Sequence, residues 1–145
     1  MLQIGQMVGN YRVLRTIGRG GMGEVFEAVQ QYIDRRAAIK VLYRDLSQNP
    51  QFVTRFLNEA RAVNLARHPG LVEVYEFGLL PDGTAYIVME FLEGEPLGRR
   101  MARLGPGLHA GDLELMAQIA RALQAAHDRG IIQDRKSVCR ERVSS

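Results

Sequence analysis

The chain has 145 residues, of which 46% are hydrophobic and 24% charged, and its formal net charge is +3. That composition excludes a disordered or collagen-like chain, and the length suits one domain with a moderate core. No apolar run reaches the roughly 18 residues of a membrane span, the first residues lack a secretory signal pattern, and the charge is too small to argue for nucleic acid.

Tyr11-Arg12-Val13-Leu14-Arg15-Thr16-Ile17 is rich in β-branched and aromatic residues and runs into a glycine cluster, Gly18 to Gly23. Glu24 to Val29 follows, so the segment reads as strand, glycine turn, strand. Asp34-Arg35-Arg36 is a turn. Ala37-Ala38-Ile39-Lys40-Val41-Leu42 is a third strand, apolar except for one lysine. Asn49-Pro50 starts a helix, with Asn49 as its cap and Phe52, Phe56, Ala60 and Val63 at helical spacing. Leu71 to Phe77 alternates, Pro81-Asp82-Gly83 turns, and Ala85 to Met89 is a buried-strand run. Gly94-Glu95-Pro96 breaks the pattern. Leu97 to Leu104 is a short helix. Asp112 caps a longer one with the stripe Met116, Ile119, Ala120, Leu123 and Ala126, and Gly130 stops it.

Gly18-Arg19-Gly20-Gly21-Met22-Gly23 satisfies G-x-G-x-x-G. A dinucleotide fingerprint needs a helix after the third glycine, and a strand follows here. A Walker A loop needs Lys and Ser or Thr there, and Glu24-Val25 follows. Two readings remain open: a glycine hairpin lying over phosphates, and a plain hairpin with no ligand.

Lys40 bears on that choice. Of the 19 basic residues, 17 are Arg, and the other lysine is Lys136. A lone lysine in an apolar strand suggests a compact point charge that needs a partner. The competing reading puts it on the exposed face of an edge strand. Glu59 is the candidate partner, because it lies three residues after Phe56 and four before Val63, beside the apolar stripe. A solvated glutamate at the stripe edge is the alternative. His127 reads as a core histidine, His68 and His109 as loop residues, and Arg99, Arg100 and Arg103 as a solvated helix face.

Six segments in order now carry a resemblance: Ile17 to Val25, Ala38-Ile39-Lys40, Phe56 to Ala60, His68 to Val72, Val88 to Gly94 and Ala125 to Ile132. From about Tyr11 to Ile132 the chain resembles the first half of a protein kinase domain, most closely the bacterial serine/threonine kinases of the eukaryotic type. The resemblance implies an α+β fold: a five-stranded antiparallel sheet with one packed helix, then a hinge and the first helices of an incomplete helical lobe. It implies a lead-in at 1–10, a nucleotide lobe at 11–89, a hinge at 90–95 and a partial helical lobe at 96–132.

The implied activity is ATP-dependent phosphorylation of serine or threonine on proteins, in the cytoplasm, with membrane anchoring of the full-length parent by a later segment left open. A non-catalytic nucleotide-binding or interaction module is the alternative. The family pattern assigns the loop Ile17, Gly18, Arg19, Gly20, Gly21, Met22, Gly23, Glu24 and Val25 to the ATP phosphates. It gives Lys40 the α- and β-phosphates and Glu59 as partner. It places Val25 and Ala38 around the adenine, Met89 as gatekeeper, and the backbone of Glu90 and Leu92 on the adenine edge.

After Ile132 the family expects His-Arg-Asp and then an asparagine that binds Mg²⁺. The chain reads Gln133-Asp134-Arg135-Lys136-Ser137. No metal site is therefore assigned, Mg²⁺ is expected with the parent kinase only, and no turnover is expected of the chain as it stands. The only cysteine, Cys139, and three of the four serines fall in 133–145. Two readings of 133–145 remain open: a divergent C-terminus, or a stretch foreign to the gene, since GAT-CGG-AAG-AGC, the core of a common sequencing adapter, would encode Asp-Arg-Lys-Ser.

Overall fold

The structure, a computed structural model, describes residues 2–128. The expected helix stop at Gly130, the end of the Ala125–Ile132 resemblance and residues 133–145 lie outside the described residues. Among the described residues six strands form one antiparallel sheet: β1 Met7–Val8, β2 Tyr11–Arg19, β3 Gly23–Gln30, β4 Arg36–Leu42, β5 Val74–Leu79 and β6 Ala85–Glu90, in the order β1-β2-β3-β4-β6-β5. The helices are α1 Arg44–Ser47, α2 Pro50–Ala66, α3 Leu97–Leu104 and α4 Asp112–Asp128.

The sheet has one strand more than the five expected. At two residues, β1 is too short for alternation to reveal it. Its signal is the Gly9-Asn10 turn: Val8 faces Tyr11 across a two-residue loop, and Gly9 has φ +57.

The described residues divide into two compact units. One gathers the chain through Arg61 with Glu73–Phe91, and the other gathers Ala62–Val72 with the residues from Leu92 onward. In the first unit the sheet has two distinct faces, because residues opposite one another in neighbouring strands point the same way. One face carries Phe26 opposite Ile39 and Ile39 opposite Val88, with Val13, Ala28 and Ala37 beside them. All are buried, and each fully buried aliphatic side chain contributes about 2 kcal/mol.

The other face is covered at one end by α2. There Leu42, Ala85 and Ile87 pack against Phe56 and Ala60. Asn49 caps α2 as expected, since its Oδ1 accepts the Gln51 N–H at 3.0 Å. Such a cap contributes about 1 kcal/mol.

In the second unit Val63, Leu71, Ala122 and Ala126 form a small core. Leu71 therefore serves that core and not the sheet, and β5 begins only at Val74. A Cβ on Gly70 would lie 2.7 Å from the Ala122 Cβ, so only glycine lets the chain pass here. His68 Nδ1 accepts the Gly70 N–H at 2.9 Å and fixes that turn.

Three expectations for α4 are corrected. The stripe of α4 holds at Ile119, Leu123 and Ala126, but Met116 and Ala120 are exposed, and Leu115 and Ala122 are covered in their place. Ala122 and Ala126 are the buried pair because small side chains suit the close approach at Gly70. His127 is exposed, not a core histidine, because it follows Ala126 on the outer side of the last turn. Asp112 is the first helical residue, not a cap, and its carboxylate turns back to accept the His109 N–H at 2.6 Å.

Arg100 also departs from a solvated face. It is half-buried, with Nη2 3.7 Å from Asp112, whereas Arg103 is exposed and pairs with Glu95. No helix among the described residues is long and apolar enough to cross a membrane.

Candidate nucleotide site

The glycine segment is a hairpin, as its strand-turn-strand pattern predicts. Gly18 faces Val25 and Arg19 faces Glu24 in register, and the Gly20 N–H donates to the Gly23 carbonyl at 2.9 Å. The turn is anchored at its far side, where the Tyr43 N–H donates to the Met22 carbonyl at 2.9 Å. The Met22 side chain packs on the Leu42 and Phe56 cluster.

The glycines of this hairpin are not equivalent. A Cβ on Gly23 would lie 1.9 Å from the Val41 carbonyl oxygen, so Gly23 is glycine because β4 passes too close for any side chain. Gly18 and Gly21 have nothing within 4 Å of an added Cβ, and Gly20 meets only the Gly23 carbonyl at 4.0 Å. None of these three takes a left-handed backbone conformation. Neither packing nor dihedral angles within the chain require glycine at Gly18, Gly20 or Gly21.

The sheet face that α2 leaves open beyond its contact gathers the expected side chains. Val25 lies opposite Lys40, and Lys40 opposite Ile87. In the next row Glu27 lies opposite Ala38, and Ala38 opposite Met89. Val25, Ala38, Lys40 and Met89 thus share one face, and the glycine turn stands at its edge. β4 lies between β3 and β6, which removes the edge-strand reading of Lys40. Lys40 is half-buried, and its Nζ lies 5.9 Å from the centroid of the Phe56 ring. Glu59 is half-buried on α2, one turn beyond Phe56. Met89 packs against the Leu42 and Phe56 cluster.

At the strand end the Glu90 N–H donates to the Glu73 carbonyl at 2.8 Å. That donor is engaged within the fold. Leu92 falls in the second unit. Ile17 is half-buried, and Arg19 is exposed with its Nε 3.6 Å from the Glu24 carboxylate.

One element of this face escaped the sequence reading. Glu27 is 95% buried, yet it is ionic: Arg36 donates to its Oε1 from Nε at 2.9 Å and Nη2 at 2.6 Å, and Arg15 donates to Oε2. The Arg36 guanidinium also stacks on the Phe91 ring, 4.1 Å from its centroid. The available signal was Glu27 itself, a carboxylate at an inward position of the apolar run Val25 to Val29. The two arginines are distant in sequence and only the strand register unites them with it.

Burial by itself favours the protonated form of Glu27. The hydrogen bonds from Arg36 and then Arg15 outweigh it and hold the carboxyl below its ordinary value of 4.5. A depressed native pKa stabilises the fold above the unfolded value, and that stabilisation is lost as pH falls through the native one. Acid titration of the wild-type chain is therefore expected to show a loss of stability below about pH 4.5 that Glu27→Gln reduces. Parallel acid unfolding curves for the two proteins would contradict this assignment.

Comparison with known proteins now adds to the geometry. Residues 11–135 match the family model of the protein kinase domain. The chain belongs to the protein kinase family. Serine/threonine-protein kinase PknA of Mycobacterium tuberculosis is 42% identical over 128 residues, which span 86% of this chain and 30% of that protein. Serine/threonine-protein kinase Pkn1 of Myxococcus xanthus is 42% identical over 130 residues, 89% of this chain and 18% of its own length.

Among solved structures, the kinase domain of M. tuberculosis PknI aligns with a TM-score of 0.74 at 30% identity, covering 90% of this chain and 52% of that domain. This kinase chain therefore spans about half of a solved kinase domain and less than a third of these two curated relatives. The α+β fold and the antiparallel sheet agree with kinase structure. The family matches extend across both units, from β2 past the end of the described residues.

Proposed function

We propose that this chain is the nucleotide-holding part of an ATP-dependent protein kinase that phosphorylates serine and threonine on proteins. The observation that carries the reading is the open glycine turn. Gly18, Gly20 and Gly21 are free of any steric demand from the fold, and they edge a sheet face that holds Val25, Ala38, Lys40 and Met89. Glycines there admit a ligand's phosphates close to backbone N–H groups, in the space a Cβ would fill.

In this reading residues 11–89 form the nucleotide lobe, 90–95 the hinge and 96–132 the start of the helical lobe. Val25 and Ala38 offer the adenine an apolar floor. Met89 limits the depth of that slot. The Glu90 carbonyl and the Leu92 backbone serve the adenine edge, and the engaged Glu90 N–H does not. Lys40 neutralises the α- and β-phosphates, and Glu59 orients it. Phosphoryl transfer is chiefly positioning and charge stabilisation, so these residues hold and orient the donor.

Mg²⁺ would supply charge neutralisation at the phosphates. Among the described residues no group of three or more His, Cys, Asp or Glu is placed to hold a metal ion, so none of these steps is assigned to it. The catalytic aspartate and the metal-binding asparagine of the family are likewise not assigned to any described residue. Because ATP is the donor, this reading places the domain in the cytoplasm.

Calorimetry with a non-hydrolysable ATP analogue tests the proposal. One saturable site per chain is expected, competed by ADP. A folded chain that binds neither nucleotide would instead favour an interaction module.

A further inference from the structure

The sheet face opposite Lys40 contains a second feature that the nucleotide reading does not use. A cavity of about 340 Å³ opens in the first unit, behind the glycine turn. Its apolar wall comes from Leu2, Phe26, Val41 and Leu80. Glu24 enters this wall from β3, opposite Val41 in register. Glu24 is 95% buried. Its partner among the described residues is Arg19, whose Nε stands 3.6 Å from Oε1, beyond hydrogen-bonding reach. Arg19 itself is 70% exposed in its side chain.

The carboxylate lines the cavity, so a donor that enters the cavity can reach it. The rim adds two carboxylates, Asp45 and Asp82, against one guanidinium, Arg44. Asp82 accepts the Thr84 N–H at 2.9 Å, and its carboxyl is held below its ordinary value of 3.8 chiefly by hydrogen bonds from Thr84. The cavity therefore combines an apolar body with a carboxylate in its wall. Its volume lies in the range of small-molecule pockets, about 300–1,000 Å³.

We propose that this cavity is a binding site for a small organic cation on an apolar body, an aryl or alkyl amidinium, guanidinium or ammonium, with Glu24 as its counter-ion. The apolar part lies on Phe26 and Val41, and the cation donates to the Glu24 carboxylate and displaces the long Arg19 ion pair. Arg19 and Glu24 are the cross-strand pair on which the glycine turn closes. A cation that takes Glu24 releases Arg19, so occupancy of this site acts on the turn from behind. The site lies on the face opposite Lys40 and does not depend on the nucleotide reading.

Benzamidine is the probe, and benzamide is its neutral counterpart of similar shape. Binding to the whole chain is followed by NMR, with resonances of Phe26, Leu80 and Thr84 as reporters. Benzamidine is expected to shift them saturably, and benzamide to bind at least tenfold more weakly. Glu24→Gln should reduce benzamidine affinity about tenfold or more. Arg19→Gln, at an exposed position, should raise it severalfold, because it frees the buried carboxylate. Equal binding of the two probes, shifts located elsewhere, or an Arg19→Gln protein that binds no better than wild type would overturn the proposal. The Arg19 arm guards against a Glu24→Gln protein that fails to fold.

Discussion

Replacing Lys40 with methionine is expected to lower the affinity for a non-hydrolysable ATP analogue by about tenfold to a hundredfold. A hydrogen bond to a charged group is worth about 1.5–3 kcal/mol, and each 1.4 kcal/mol is a factor of ten. The fold should tolerate the change. Lys40 is half-buried on a central strand with its ammonium near the Phe56 ring, and methionine keeps the length and gives the ring an apolar neighbour. Calorimetry measures the affinity, and circular dichroism checks that the sheet is intact. Unchanged affinity in a folded protein would remove Lys40 from the nucleotide site. Glu59→Gln should move affinity in the same direction by less, since in the proposed reading Glu59 acts through the lysine and not on the phosphates.

The second large effect divides the glycine turn by function. Gly23→Ala is expected to destabilise the chain by about 3 kcal/mol or more, at the upper end for overpacked sites. The added methyl would stand 1.9 Å from the Val41 oxygen, and the obstacle is backbone held in a central strand. The two strands would have to separate where Gly23 faces Leu42, and that shift reaches the Tyr43 bond to Met22. Against a total stability of about 5–15 kcal/mol for ordinary domains, this is a large loss.

Gly20→Ala should leave stability within about 0.5 kcal/mol, because its methyl meets nothing closer than 4.0 Å. Its effect should appear in nucleotide affinity, where the methyl occupies the space offered to phosphates. Chemical denaturation and calorimetry on the same two variants separate the cases. If Gly20→Ala changes neither stability nor affinity, the turn is a plain hairpin.

The two substitutions show where sequence reading reached and where it stopped. G-x-G-x-x-G treats its glycines alike, and the notion that all three cover phosphates followed from that. The structure assigns Gly23 to strand packing, because β4 crosses it, and β4 lies some twenty residues along the chain. Lys40 was legible by contrast: it stands out in a chain that otherwise favours arginine. Its central position in the sheet was not legible, because strand order depends on which later strand, β6, pairs beside β4. Glu27 went unread for the same reason, since both of its arginines come from neighbouring strands.

The helices show a similar division. Phe56, Ala60 and Val63 of α2 were legible as one apolar face, because a 3.6-residue period is local. The face of α4 was legible only in part. Ile119, Leu123 and Ala126 were read correctly, but Met116 and Ala120 fit the spacing as well as Leu115 and Ala122, and what decides is the small-residue contact of Ala122 with Gly70. Exposed Leu113 and Met116 mark the side that the second unit does not cover.

The amino-acid sequence by itself determined the family, the strand and helix types and the glycine turn with its lysine. These rest on local periodicity, turn chemistry and ordered motifs. Only the tertiary structure decided which glycine serves packing and which stays open. It alone placed Lys40 on a central strand, ion-paired Glu27 between two arginines, and set Glu24 in an apolar cavity with a distant partner. Each of these depends on the register and order of strands remote in sequence, and no local pattern encodes how closely two such strands approach.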